Sequence, residues 1–408
     1  MRERQADYEQ RVTPLELFFD LVFVFALTQV TSFLADNSSW DGLLRGLFLL
    51  GVLWWAWAAY AWLTNTLNPE EGPVRLAVFA SMGAMLIAAL ATPGAFDVDG
   101  VVFGIAYFTV RALHLVLFAI AGRGDPELRR AVLRILPSAL LGAVLLVVAG
   151  FLDGGARMAA WAVALAIDYL WLLVGGMRGW RVSPEHFVER HGLIIIIAIG
   201  ESIVAIGVGA AGVPLDAPVI AAALLGIVVA SALWWSYFDW AVYVAQARLA
   251  DASGAERAVL ARDLYSYLHL PMVAGIVLFA LGMKTTLSHS GDALDMISAV
   301  GMSGGLALYF AAHVATRLRM AGGWGHGRPI ATVILIALVP VATQVPALAA
   351  LALVAVVCVA LIASEALRYP AGRSWIRSHR GAFTMEEASR FAATGDRSEA
   401  QPTSTEPE

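Results

Sequence analysis

"VTPLELFFDLVFVFALTQVT", residues 12–31, is an apolar run entered through two carboxylates, Glu16 and Asp20, set one helical turn apart. Its ten residues from Leu21 to Val30 carry no charge at all, the composition of a helix that lies in hydrocarbon. A charge left at the centre of a bilayer costs roughly 2.5 to 3.5 kcal/mol even on insertion scales. The stretch therefore implies a membrane, and also a reason for the acids at its mouth. Both implications extend to the whole chain. Of its 408 residues 59% are hydrophobic and 14% charged, where a soluble domain carries about a quarter charged residues. The fold class expected is an all-α polytopic membrane protein. The single cysteine, Cys358, lies in an apolar run and excludes an intrachain disulfide; it reads as a small hydrophobe. The basic start of the chain has no small-residue cleavage site after its apolar run, so the first span is expected to stay.

Crossing about 30 Å of hydrocarbon takes roughly 20 helical residues. Twelve spans are placed on this basis, at 16–35, 42–63, 74–92, 101–121, 131–151, 156–176, 191–211, 218–245, 264–286, 296–316, 329–346 and 347–367. The last two are separated only by a Pro-containing turn, and a bent hairpin or re-entrant piece is the alternative there. Arginines gather in alternate connections: Arg75; Arg123, Arg129, Arg130 and Arg134; Arg178, Arg181 and Arg190; Arg248, Arg257 and Arg262; Arg317, Arg319 and Arg328. The other connections carry aspartates such as Asp36, Asp97, Asp153 and Asp292. By the positive-inside rule both termini are cytoplasmic, in the inner membrane of a bacterium, and the number of spans is even.

The entry motif recurs. "ELFFD", Glu16–Asp20, is matched by "EHFVE", Glu185–Glu189, ahead of the seventh span. "LWWAW" from Leu53 is matched by "LWWSY" from Leu233, and "YFTVR" from Tyr107 by "YFAAH" from Tyr309, in the same order on corresponding spans. Two parallel six-helix repeats follow, related by an axis along the membrane normal. The division is 1–13 as a cytoplasmic segment, 14–177 as the first repeat, 178–190 as a connection with the second acidic motif, 191–367 as the second repeat, and 368–408 as a cytoplasmic, largely disordered tail. Glu16, Asp20, Glu185 and Glu189 are then expected to face the interior at the cytoplasmic ends of spans one and seven, near Arg11, Arg178, Arg181 and Arg190.

The two longest motifs, "VTPLELFFDLVFVFALTQVT" and "EHFVERHGLIIIIAIGESIVAIG" (residues 185–207), resemble the bacterial low temperature requirement protein A family. The resemblance spans Thr13 to about Ala366. It implies a multi-spanning inner-membrane protein named for a cold-growth phenotype, and carries no agreed catalytic residues.

Chemistry is sought where ionisable groups enter the membrane, since such groups face the protein interior and mark sites. Glu201 stands about ten residues into span seven, beside Ser202 and between Gly200 and Gly207, whose spacing suggests close approach of a neighbour. It reads either as a proton or cation site or as a structural hydrogen bond. Arg111 and His114 share a face of span four; Arg111 requires an acid, and Asp168 and Glu201 are the candidates. His313 holds the repeat position of Arg111. For a substrate with a carboxylate or phosphate Arg111 would be the anchor; otherwise it forms a structural bridge. Asp239 and His269, with Pro271 freeing a backbone carbonyl, lie toward the cytoplasmic side. Trp54, Trp55, Trp57, Trp234 and Trp235 read first as interfacial belts and second as an aromatic lining. There is no zinc spacing and no phosphate-binding loop. No metal, cofactor or nucleic-acid partner is implied, and the short connections exclude an ATPase domain. What remains is a proton-coupled secondary transporter or permease of a small solute, a lipid-acting membrane enzyme using carboxylates and histidines, or a structural membrane protein supporting growth in the cold.

Overall fold

The computed structural model describes residues 11–368, 370–379 and 382–394. Among these the chain is helical apart from one isolated antiparallel bridge, Ala293 to Pro346. The helices are α1 Pro14–Asp36, α2 Trp40–Thr64, α3 Gly72–Ala91, α4 Gly100–Ala121, α5 Pro126–Ala149, α6 Gly154–Gly175, α7 Pro184–Ala210 and α8 Ala217–Phe238. They continue with α9 Ala241–Asp251, α10 Gly254–Ala261, α11 His269–Ser288, α12 Met296–Ala299, α13 Gly305–Ala321, α14 Gly327–Ala342, α15 Ala347–Arg368, α16 Pro370–His379 and α17 Met385–Thr394. A π turn, Arg262–Tyr267, joins α10 to α11, and another, Val300–Gly304, joins α12 to α13.

Local chemistry explains the main boundaries. Thr13 caps α1, Pro14 takes the first helical position, and Glu16 returns a carboxylate to the Thr13 amide, a complete capping box. Asp125 caps α5 ahead of Pro126, and Asp216 caps α8 ahead of Pro218. Gly322 closes α13 in the left-handed region at φ 70°, its amide donating to the Leu318 carbonyl.

Among the described residues eleven segments are long and apolar enough to cross a membrane. The eleventh expected span, 329–346, is α14, which has 16 residues, about 24 Å at the helical rise, short of a full hydrocarbon core. Pro340 sits in its last turn, and the helix ends two residues later. Three further expectations need correction. The eighth, 218–245, lies within the helical segment Ala217–Asp251 but is broken at Asp239–Trp240, between α8 and α9. The ninth is preceded by α10, so that its helical segment runs from Gly254 to Ser288. Finally, the segment after Arg368 is not without structure, because α16 and α17 form there; residues 395–408, like 1–10, lie outside the described residues.

The most enclosed helices are α2, α11 and α13, while α6 turns most of its length outward. Outward positions are filled by apolar side chains such as Leu21, Leu170, Val174, Leu224 and Val356, as a lipid-facing surface requires. Because lipid is as apolar as leucine, contact between helices depends on close packing and polar pairs. Gly275 on α11 and Gly305 on α13 supply it: a Cβ on either would lie 2.4 or 2.6 Å from the other's carbonyl oxygen. The arginine-bearing connections meet at one end of the bundle. Arg181 pairs with Asp125 at 2.9 Å, Arg134 donates to the Arg178 carbonyl, and Arg319 pairs with Asp263 at 2.9 Å. At the opposite end Ser38 donates to Asp295 at 3.3 Å, and the Ala347 amide donates to the Asp292 carbonyl at 2.7 Å.

Candidate functional site

The acids of the entry motif find their partners on α7. Glu16 and Asp20 are buried, 2% and 1% exposed. One Glu16 oxygen receives the Thr13 amide at 2.8 Å; the other lies 2.9 Å from His186 Nε2. Asp20 accepts from Arg190 at 2.8 Å and from the Trp57 indole at 2.8 Å, and the Arg190 guanidinium lies 5.7 Å from the centre of the Trp57 ring. Asn65, just past the end of α2, sets the histidine. Its oxygen takes the Ser183 amide at 2.9 Å, so its amide nitrogen is the atom 3.0 Å from His186 Nδ1. Nδ1 then accepts and Nε2 carries the hydrogen given to Glu16. Burial of charge is tolerated here because each carboxylate is paired and hydrogen-bonded.

The seventh helix differs from expectation. Glu185 and Glu189 are exposed, and Glu189 takes the Val12 amide at 3.1 Å. The inward face one residue on carries Arg190, which was expected near the acids, and His186, which was not. Matching the motifs on their carboxylates set the register one residue off. Matching "TP" at Thr13–Pro14 with "SP" at Ser183–Pro184, where both helices start, puts Glu16 against His186 and Asp20 against Arg190, and that signal was present in the sequence. The contacts 16 to 186, 20 to 190 and 28 to 201 keep nearly constant separation, so α1 and α7 run in the same direction.

Further along this junction Glu201 is 1% exposed. It accepts from the Thr28 hydroxyl of α1 at 2.6 Å, with Thr31 on the same face. Among the described residues no Arg, Lys or His pairs with it. The close approach beside it comes from Gly209, whose added Cβ would sit 3.0 Å from the Lys284 carbonyl of α11; Gly200 and Gly207 meet nothing within 4 Å. The Ser202 hydroxyl is turned back to the Ile199 carbonyl.

A second group lies inside the first half. Arg111 on α4 reaches Asp168 on α6 at 3.4 Å, long for an ion pair, and Tyr107 donates to the other Asp168 oxygen at 3.2 Å. Gly142 on α5 leaves the room that Asp168 occupies. His114 is buried, and neither ring nitrogen makes a hydrogen bond of good geometry, although the Ala59 carbonyl faces the ring. Arg111, His114 and Asp168 share one cavity of about 60 Å³. Trp55, Trp62, Trp171, Trp180 and Phe118 complete its wall. This cavity lies within the first half and the connection that follows it, with Ser266 the contribution of the second. Of the two acids considered for Arg111, Asp168 is the partner and Glu201 is not.

The remaining candidates are dispersed. His313 lies against Arg328 at 2.8 Å, and Arg328 also pairs with Glu365 at 2.9 Å and donates to the Ser236 carbonyl at 2.8 Å. Asp239, at the break after α8, is held by Arg373 and Arg377 of α16. His269 lies 2.8 Å from both the Leu264 carbonyl and the Tyr237 hydroxyl. The Trp54 indole donates to the Ser266 carbonyl at 2.8 Å, and Trp62 to the Ser266 hydroxyl at 2.9 Å, satisfying the π turn before Pro271. Trp54 and Trp57 are therefore buried ties between helices and not interfacial belts, whereas Trp234 and Trp235 are exposed. Among the described residues no three His, Cys, Asp or Glu side chains are placed to share a metal ion.

Comparison with known proteins gives two matches. The sequence pattern of the bacterial low temperature requirement A proteins matches residues 11–363. An uncharacterised protein of Rhizobium meliloti (strain 1021) is 31% identical over 328 residues, 76% of this chain and 78% of the relative. No solved structure matches.

Proposed function

The chain belongs to the bacterial low temperature requirement A family, and from that premise we propose that this multi-pass membrane protein is a secondary transporter moving a small solute in exchange for, or together with, protons. One observation carries the reading: Glu201, buried two-thirds of the way along α7, is held by the Thr28 hydroxyl of the partner helix and, among the described residues, by no cation. An intramembrane acid of this kind can take up and release a proton without leaving a counter-charge stranded. Its place at the α1–α7 junction puts that proton where relative movement of the two helices would expose it to either side.

The architecture proposed with it has twelve crossings in two parallel repeats of six, in the inner membrane with both termini cytoplasmic. Several contacts support it. α14 leaves the end of α13 and returns to the connection ahead of α12, where the Leu294 amide donates to the Ala342 carbonyl at 3.3 Å, so it covers the same depth as α12 and α13 together. Neighbour relations recur between halves: α1 with α2 and α3, as α7 with α8 and α11; α4 with α3 and α5, as α13 with α11 and α14; α6 with α2 and α5, as α15 with α8 and α14. The common end of the arginine-bearing connections is the one that the positive-inside rule assigns to the cytoplasm.

The test is solute-driven proton movement in proteoliposomes loaded with a pH-sensitive dye, using a panel of small acids, amino acids and sugars. A solute on the panel is expected to move protons with the native protein and not with Glu201→Gln, which keeps the Thr28 contact. Proton movement that survives Glu201→Gln unchanged overturns the role of this residue. Lipid turnover in detergent, with no solute-driven flux, overturns transport altogether.

A further inference from the structure

The cavity of the first half is chemically lopsided. Two residues of its lining carry buried donors without an acceptor, Arg111 Nε and the Trp180 indole nitrogen, and neither group can itself accept a hydrogen bond. His114 adds a third unpaired group to the same wall. Asp168 does not make up the deficit: it accepts from Tyr107 and from the terminal Nη2 of Arg111, and neither orphan donor bonds to it. A buried donor left without an acceptor is destabilising, so a cluster of them in one space implies that something else supplies the acceptor. The positions are not loose. The Trp180 ring meets Trp62 at 5.7 Å and Phe118 at 5.2 Å, both edge-on, and Phe118 meets His114 at 4.8 Å.

We propose that this cavity binds a small organic anion, a carboxylate carried on a flat apolar body, with its oxygens toward Arg111 and Trp180 and its body among the tryptophans. The guanidinium favours an anionic acceptor over a neutral one, since charge-assisted bonds are about twice as strong. Aromatic walls present flat, apolar faces that accept a ring edge-to-face or offset. An organic cation would also find aromatic faces here, but it brings donors to a wall already short of acceptors. As a statement of what is carried, this rests on the transporter reading; as a statement of what is bound, it does not.

The experiment is equilibrium dialysis of the full chain in detergent with radiolabelled benzoate, in competition with benzylammonium, benzyl alcohol and acetate. Benzoate is expected to bind saturably, to be displaced weakly by acetate and benzyl alcohol, and not to be displaced by benzylammonium. Trp180→Phe, which keeps the ring and removes the N–H, is expected to weaken benzoate at least tenfold. Arg111→Gln with Asp168→Asn, which removes the pair without stranding either charge, is expected to abolish binding. Should that double variant not fold, His114→Ala and Trp180→Phe decide the matter. No saturable benzoate binding, equal binding by Trp180→Phe and the double variant, or stronger binding of benzylammonium each overturns the proposal. If benzoate binds but neither it nor any solute of the panel moves protons in vesicles, the site stands and the transporter reading falls. If other solutes drive proton flux while benzoate does not bind, the reverse holds.

Discussion

Asp20 and Arg190 show why one side chain at a membrane junction outweighs many at a surface. Both are almost fully buried and share a hydrogen bond, so removal of one leaves the other charged with no water to solvate it. Arg190→Gln is expected to lower stability by about 3 to 5 kcal/mol, read as a fall in the detergent melting temperature. Asp20→Asn combined with Arg190→Gln should recover a large part of that loss. A double variant no better than the single would mean that Arg190 acts through Trp57 and not through Asp20. Glu201 belongs to the other class. Glu201→Gln retains an acceptor for Thr28, so its melting temperature should stay close to native, within about 1 kcal/mol, even though proton coupling is lost. A large fall would make Glu201 a packing device.

At the scale of elements, helix contact is set by how near two backbones can come and by how a broken helix satisfies its amides. α11 and α13 cross at Gly275 and Gly305, where an alanine methyl would press on the opposite carbonyl. Gly275→Ala is expected to destabilise by about 1 to 3 kcal/mol, as overpacking does, and a neutral result would show that the two helices can part without penalty. The π turn before α11 depends on α2 in a similar way, since the Trp54 indole satisfies the Ser266 carbonyl. Trp54→Phe keeps an aromatic ring, though a smaller one, and strands that carbonyl. The expected loss is about 1 to 3 kcal/mol, with faster hydrogen exchange around Ser266 as the measure that separates it from a general loosening.

Across the whole molecule, the two halves meet through α1, α7, α2 and α11, and the tail is fastened to the second half. Arg373 and Arg377 hold Asp239 at the break between α8 and α9, and the Met385 amide donates to Asp251 at 2.7 Å. Arg373→Ala with Arg377→Ala should release α16 and speed proteolytic cleavage after residue 368, leaving the spanning bundle intact; an unchanged cleavage rate would show that α17 alone anchors the tail. In a Cys358→Ser background, cysteines at Ser38 and Asp295 should cross-link on oxidation, since these side chains touch where the first half meets the second.

The chain's class, its eleven long apolar spans and the segregation of its arginines were legible without coordinates, because hydrophobic length and loop charge are properties of local sequence that the bilayer reads directly. So were the buried charges Arg111, His114, Asp168 and Glu201, since an ionisable residue inside a span is conspicuous wherever it points. Which acid answers which base was not legible. Partnership depends on helix rotation, and one residue of register, about 100° around an α-helix, turned Glu185 and Glu189 outward and brought His186 and Arg190 to Glu16 and Asp20. Tertiary structure also decided where the empty space lies and which donors in it go unanswered, because a cavity is made by four helices at once and no single stretch of sequence encodes it.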